Sequence, residues 1–487
     1  IKLKTMKRRE FISKNGLLLG GLAFVPVNAF SMPNGFSKKV FVSNRPAPDM
    51  RTFKSLEVEK TIKEVKEIIA DKEIAWLFEN CYPNTLDTTV DYEIIAGKPD
   101  TFIITGDIDA MWLRDSTAQV WPYMPLINKD DKLKKLIQGL ISRQVKCVLK
   151  DPYANSFYKD LTKKSSWQSD TPTPIPGVHE RKWEIDSLCY VVRLSHEYYK
   201  LTGDTALFDK DWDSAMRLIV ETFQTEQRKD GLSPYEFTRV TSSMTDAPLF
   251  NGTGRPSKPN GLICSMFRPS DDATILPFLI PSNIFAVLSL RQLSTIYKEV
   301  LVAPVFASEC EDFATEIDTA IQKYAVSEHE DFGRIYAYEI DGFGNKIFMD
   351  DANVPSLMSL AYLGAHAASD PIYQRTRKYL LSSANPYYLK GTAAEGQASP
   401  HTGKEKIWPM GIILRAMTSI DSQEIIQCLQ MLKNTHGGTG FMHEAFHKDN
   451  PEDFNRTWFA WANTLFGELI IKIKNEFPEI LAMKFEG

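Results

Sequence analysis

The chain has 487 residues, 43% of them hydrophobic and 24% charged, with a formal net charge of −5. That is an ordinary globular composition with enough apolar residues for a sizeable core, which excludes disorder over most of the length. The acidic balance, without a basic run in the body of the chain, argues against nucleic acid or an anionic membrane as partner.

In chain order, Lys7-Arg8-Arg9-Glu10-Phe11-Ile12 forms a twin-arginine pattern, followed by an apolar run from Gly16 to Val27. With the small residues of Ala29-Phe30-Ser31 beyond it, this predicts a cleavable export signal over residues 1–31 and a periplasmic or secreted protein. The apolar run is too short to remain as a membrane anchor. Losing the leader removes six Lys or Arg and one Glu and leaves a formal charge of −10. A neutral partner such as a glycan suits that surface. Residues 32–52, rich in Ser, Asn and Pro, read as a linker, and 53–487 as one catalytic domain.

From Ser55 onward helical periodicity dominates. Leu133, Leu136, Ile137, Leu140, Ile141, Val145, Val148 and Leu149 mark one buried face. Similar stretches are expected near 55–80, 184–202, 209–228, 273–300, 308–324, 354–366, 371–383, 407–419, 422–434 and 457–476. Phe102-Ile103-Ile104 and Ile335 to Tyr338 are the best extended candidates. About a dozen helices and little sheet predict a single all-α domain. No fixed-period repeat is present, and periodicity leaves a closed helical barrel and an irregular bundle both open. The six cysteines lack C-x-x-C spacing; Cys147, Cys189 and Cys428 fall in apolar helical stretches as buried thiols.

The segments between helices mix carboxylates, Arg or His with aromatic residues. A sugar site needs that mixture, because polar groups bond the hydroxyls and aromatic faces cover the ring. Helix caps and ion pairs are the alternative for any one segment. Glycoside hydrolysis requires two carboxyl groups, an acid for the leaving oxygen and a second group that activates water or attacks. Asp271-Asp272 is a candidate pair, since adjacent acids raise one another's pKa. A Ser-Asp-Asp helix cap is its rival, and a cap also explains Asp350-Asp351.

His443-Glu444-Ala445-Phe446-His447 matches H-E-x-x-H, in which two His on one helical face bind zinc and Glu acts as base. Gly437, Gly438 and Gly440 before it, and Asp449, Asn450 and Pro451 after it, favour a loop or single turn over that helix.

Taken together, TGDIDAMWLRDS (105–116), KWEIDS (182–187), MFRPSDDA (266–273), MDDANVPS (349–356), SPHTG (399–403), WPM (408–410), HEAFH (443–447) and WFAWANTLFGE (458–468) resemble glycoside hydrolase family 125. The resemblance runs from about residue 56 to 476. It implies an (α/α)6 barrel and an exo-acting, inverting α-1,6-mannosidase that needs no metal or other cofactor and acts on α-mannoside oligosaccharides. By motif, the general acid falls on Asp271, with Asp272 in reserve, and the general base on Glu444. Asp109, Trp112, Arg114, Asp115, Arg268, Asp272, Asn353, His401 and Trp408 are expected in the mannose wall, with His443 and His447 bonding hydroxyls or orienting Glu444. An inverting pair stands about 6.5–9.5 Å apart, leaving room for water. Another inverting glycosidase of the same architecture, a zinc peptidase and a non-catalytic glycan binder are the competing readings.

Overall fold

The computed structural model describes residues 41–485. The expected leader and residues 32–40 of the expected linker lie outside the described residues. Residues 41–52 are docked rather than loose. Trp76 Nε1 donates to the Val42 carbonyl at 2.6 Å, and Arg45 pairs with Glu59 and with Asp87 at 2.7 Å. The compact unit therefore includes Phe41 onward instead of starting at residue 53.

Twelve helices of eight or more residues appear among the described residues. They are Leu56–Ile68 (α1), Lys72–Cys81 (α2), Leu113–Val120 (α3), Asp131–Lys150 (α4), Ile185–Thr202 (α5) and Lys210–Glu226 (α6). Ile280–Glu299 (α7), Pro304–Ala320 (α8), Pro371–Leu380 (α9), Pro409–Met417 (α10), Ser422–Asn434 (α11) and Ala460–Glu476 (α12) follow.

Their sequences divide them into two kinds. In α1 only Val58, Ile62 and Val65 are buried, the single stripe of a helix with one face in water. By contrast every residue of α3 is buried, as are Ile185 to Ser195 of α5, Ile280 to Val287 of α7, Pro409 to Ala416 of α10 and Ala460 to Gly467 of α12. Helices without a wet face must be surrounded by others, and these pack on one another: α3 on α5 and α12, α5 on α7, α10 on α12. Gly467 of α12 lets the end of α2 come close, since a Cβ there would lie 2.6 Å from the Tyr82 ring.

The two kinds also begin differently. Ser55, Asp71, Asp130, Asp209, Asp370 and Asp421 cap α1, α2, α4, α6, α9 and α11 through their side chains. None of the five enclosed helices has a side-chain cap, and of the one-faced helices only α8, which starts at Pro304, lacks one as well.

The all-α expectation needs correction in detail. Among the described residues fifteen short strands form six small sheets, several of two or three residues and too short to carry a period of two. The expected helix at 273–300 begins only at Ile280, because Phe278–Leu279 pairs as a strand with Glu339–Ile340. Of 354–366 only Leu360–Leu363 is helical. The stretch 55–80 is two helices, and α3 occupies part of a segment read as connecting chain. All six cysteines are buried and free.

Candidate active site

Most of the chemistry-bearing segments precede the start of an enclosed helix: 105–116, 182–187, 266–273 and 408–410 lead into α3, α5, α7 and α10, while 399–403 and 443–447 lead into strands 406–407 and 445–447 and 349–356 into Leu360–Leu363. Uncapped helix N-termini present amide hydrogens and positive partial charge, and carboxylates are stabilised there. One end of the enclosed helices therefore carries acids, arginines and aromatic rings.

Arg114, in the first turn of α3, is the hub on one side. Its Nη1 donates to Glu184 Oε2 at 2.6 Å and Asp186 Oδ2 at 3.0 Å, its Nη2 donates to Asp271 Oδ1 at 3.0 Å, and Asp115 lies 3.5 Å from Nε. Burial works against the guanidinium charge, but four carboxyl groups outweigh it and raise Arg114 above its ordinary value. Burial pushes Asp115 up to about 6, partly offset by Arg114. Glu184 and Asp186 are raised by burial too, against the pull of Arg114. Asp271 goes the other way. Burial opposes its ionisation, but Arg114, Lys182, a hydrogen bond with Glu184 and the charge of His401 together hold it below the usual carboxylate range.

Asp271 sits at the tip of a tight loop. Phe267 bridges Ala273, Arg268 N donates to the Asp272 carbonyl at 2.7 Å, and Asp271 itself has a left-handed φ of 65°. The helix-cap reading of Ser270-Asp271-Asp272 is thereby overturned. Asp350 does not cap a helix either: it accepts the amides of Leu357 and Met358 in the turn before Leu360–Leu363, whose own N-cap is Ser359 without a side-chain bond. The loop is anchored beneath by Arg268 on Glu339 at 2.6 Å and by Ser270 on Asp351 at 3.1 Å. Lys182 Nζ holds the Asp271 carbonyl at 2.8 Å. The Asp272 side chain is only 4% exposed and bonds His401 Nδ1 at 3.1 Å, whereas that of Asp271 is 24% exposed.

Across the site, Arg456 Nη1 donates to Glu444 Oε1 at 3.3 Å, and its other nitrogens hold Asp107. Arg456 is also left-handed, at φ 55°. Its loop closes on the loop of Asp107, where Gly106 at φ 119° leaves room for the Trp458 ring, 3.1 Å from where a Cβ would stand. The two sides communicate electrostatically. Asp115 feels both Arg114 and Arg456, and His401 feels Asp272, Glu444 and Asp271. Burial works against His401 protonation, but the Asp272 hydrogen bond and these carboxylates raise it to about 9, although 36% of its side chain is open to solvent.

Residues 445–447 form a strand, paired with 450–455 and with 406–407, where a zinc-peptidase motif requires a helix. At roughly 3.3 Å per extended residue, His443 and His447 are spread along the chain instead of sharing a helical face. His443 Nδ1 bonds the Arg456 carbonyl at 3.0 Å and its ring stacks on Phe454 at 3.8 Å. These contacts tie His443 to the loop of Arg456, the residue that holds Glu444. His447 instead faces Glu405 at 3.5 Å.

Of the expected wall, Arg114, Asp115, Asp272 and His401 join this cluster. Trp112 adjoins it, with its ring 5.1 Å from His179 and its buried Nε1 without a partner. Trp408 lies beneath His401, donating to Thr402 Oγ1 at 2.8 Å. Arg268 and Asn353 support loops, the latter on Asp351 at 3.0 Å. Asp109 is not brought in: its side chain is 81% exposed and pairs with Lys163. Lys182, Glu184, Asp186 and Arg456 belong to the cluster although the sequence marks only their segments and gives none of them a role. Two acids two residues apart, between a Trp and an apolar helix, were the available signal. Asn155, 3.4 Å from Asp271 Oδ1, carried none.

Residues 71–471 match the sequence profile of metal-independent alpha-mannosidase (GH125). The meiotically up-regulated gene 157 protein of Schizosaccharomyces pombe is 42% identical over 455 residues, covering 90% of this chain and 89% of its own. A metal-independent alpha mannosidase of Streptococcus pneumoniae, solved in a non-productive complex with α-1,6-mannobiose, is 40% identical with a TM-score of 0.83. That match covers 87% of this chain and 99% of the other.

Proposed function

The chain belongs to the GH125 family of metal-independent α-mannosidases and is a glycoside hydrolase, and from that premise we propose that it releases single non-reducing terminal mannose residues from α-1,6-linked chains with inversion. The α-1,6-mannobiose bound by the S. pneumoniae relative supports the linkage. The enclosed and capped helices fit the inner and outer rings of an (α/α)6 barrel, with the acidic segments at one mouth. The twin-arginine pattern supports export to the periplasm or beyond.

One observation carries the mechanism: two carboxyl groups, Asp271 and Glu444, stand on separate loops, each held by its own arginine, within one electrostatic cluster. Asp271 is the general acid, because Asp272 is enclosed and committed to His401. It protonates the glycosidic oxygen as the C1–O bond breaks, and the bonding electron pair leaves with that oxygen. Glu444 removes a proton from the water that attacks C1 from the opposite face. In this mechanism His401, Asp115 and Trp112 bond mannose hydroxyls, and Arg456 fixes the Glu444 carboxylate.

A disaccharide panel tests the reading. Cleavage of α-1,6-mannobiose, with α-glucosides untouched, is expected. Hydrolysis of glucosides in preference would transfer the chain's specificity to another sugar. Blocking the non-reducing end of a longer α-1,6-mannan should abolish release; internal cutting would contradict exo action.

A further inference from the structure

The acid side holds more carboxyl groups than its two cations can serve. Glu184, Asp186, Asp271 and Asp115 surround Arg114, while Lys182 spends its ammonium on the Asp246 carboxylate and on the Asp271 backbone carbonyl. Glu184 is the most enclosed of them after Asp186. Its Oε2 accepts from Arg114 and from Ser187 Oγ at 2.9 Å, but Oε1 is buried with no donor from the protein. A buried carboxylate oxygen without a donor is costly, and a proton on that oxygen removes the cost. Asp271 is held by Nη2 of the same guanidinium whose Nη1 holds Glu184, which makes the two carboxyl groups neighbours, and each shifts the other's ionisation.

We infer that Glu184 stores the proton used by the general acid, donating Oε1–H to the Asp271 carboxylate at rest and passing that proton on when the glycosidic bond breaks. Glu184 is a positioning residue in this scheme, since it touches Asp271 and not the sugar. As the C1–O bond opens, the single proton of the pair passes from Glu184 to Asp271 and from Asp271 to the leaving oxygen, so that Glu184 becomes a carboxylate beside Arg114 and Asp271 ends ionised as it began. Glu444 gains the proton of the attacking water. Solvent then takes the proton from Glu444 and returns one to Glu184, so each turnover consumes one water. The scheme resolves a difficulty in the resting site, where Arg114 and Lys182 favour ionised Asp271 although an acid must deliver a proton. It rests on the proposed assignment of Asp271.

The test compares two substrates on the full-length protein. α-1,6-Mannobiose needs leaving-group protonation, whereas 2,4-dinitrophenyl α-mannoside does not. Glu184→Gln keeps the side chain's size and a hydrogen-bond donor but yields no proton. It should lower kcat on mannobiose about 10- to 100-fold, leave KM within about threefold and leave the dinitrophenyl substrate within about threefold. The alkaline limb of the mannobiose profile should also move to lower pH. Glu184→Asp, which keeps an acid at a longer reach, should show the same substrate selectivity with a smaller loss, and it decides the matter if the Gln variant does not fold. Equal loss on both substrates would mean that Glu184 merely holds Arg114, and no loss would mean that it is idle; either overturns the inference. Asp271→Asn separates this from the premise: if that variant shows no leaving-group selectivity, the acid assignment itself is wrong.

Discussion

Asp271 and Glu444 each rest on an arginine, yet the two arginines keep different company. Arg114 is enclosed and meets four carboxyl groups, so some of those groups must carry protons. Arg456 meets two, Glu444 and Asp107, and the Asp107 side chain is 51% exposed, so water shares the charge. Both sides use the same ion pair and a left-handed backbone residue. They differ in the number of buried acids, and in the proposed mechanism that number makes one side the proton source and leaves the other to accept a proton. Role is set by surroundings and not by the choice of Asp or Glu.

Breaking either side should give a different signature. The largest effect is expected for Glu444→Gln, which should reduce turnover about 10³- to 10⁴-fold on mannobiose and dinitrophenyl mannoside alike, since water must be activated for both. Asp271→Asn should cost about 10²- to 10⁴-fold on mannobiose but far less on the activated substrate. Arg456→Met, which frees Glu444 from its tether, should cost about 10- to 100-fold on both, read as kcat/KM for the two substrates.

His401 gives a pH test between the two sides. Its folded pKa is raised to about 9 by Asp272 and the neighbouring carboxylates. Its stabilising contribution is therefore complete below about pH 6.5, the unfolded value, and is lost as pH rises through 9. Thermal melts should show a fall in Tm across that window which His401→Asn flattens. Leu140→Ala, fully buried in α4 and remote from both loops, sharpens the comparison by doing neither. It should cost about 2–5 kcal/mol of stability in a denaturant titration and leave the pH–rate profile unchanged.

Much of this arrangement was legible from the chain alone. The Leu133 to Val148 stripe located α4, and the mixture of acids and aromatics marked the right segments. Asp271 was separable from Asp272 only in three dimensions, because their difference is one of exposure and partner, not of residue type. The Ser-Asp-Asp sequence imitated a helix cap, and the apolar residues up to Leu279 extended the imitation. Tight strand pairing at Phe278–Leu279 decided otherwise. Glu184 and Arg456 went unassigned because their meaning depends on partners 70 or more and 12 residues away in sequence. Asp109 was chosen for its motif, and its loop turns it to solvent.

The most direct test of an acid and a base on opposite faces of one mannose is the anomer released first. Proton NMR of α-1,6-mannobiose digestion with EDTA present should show β-mannose appearing before mutarotation. α-Mannose as the first product would contradict the paired roles of Asp271 and Glu444, and loss of cleavage with EDTA, restored by zinc, would contradict the account of the site.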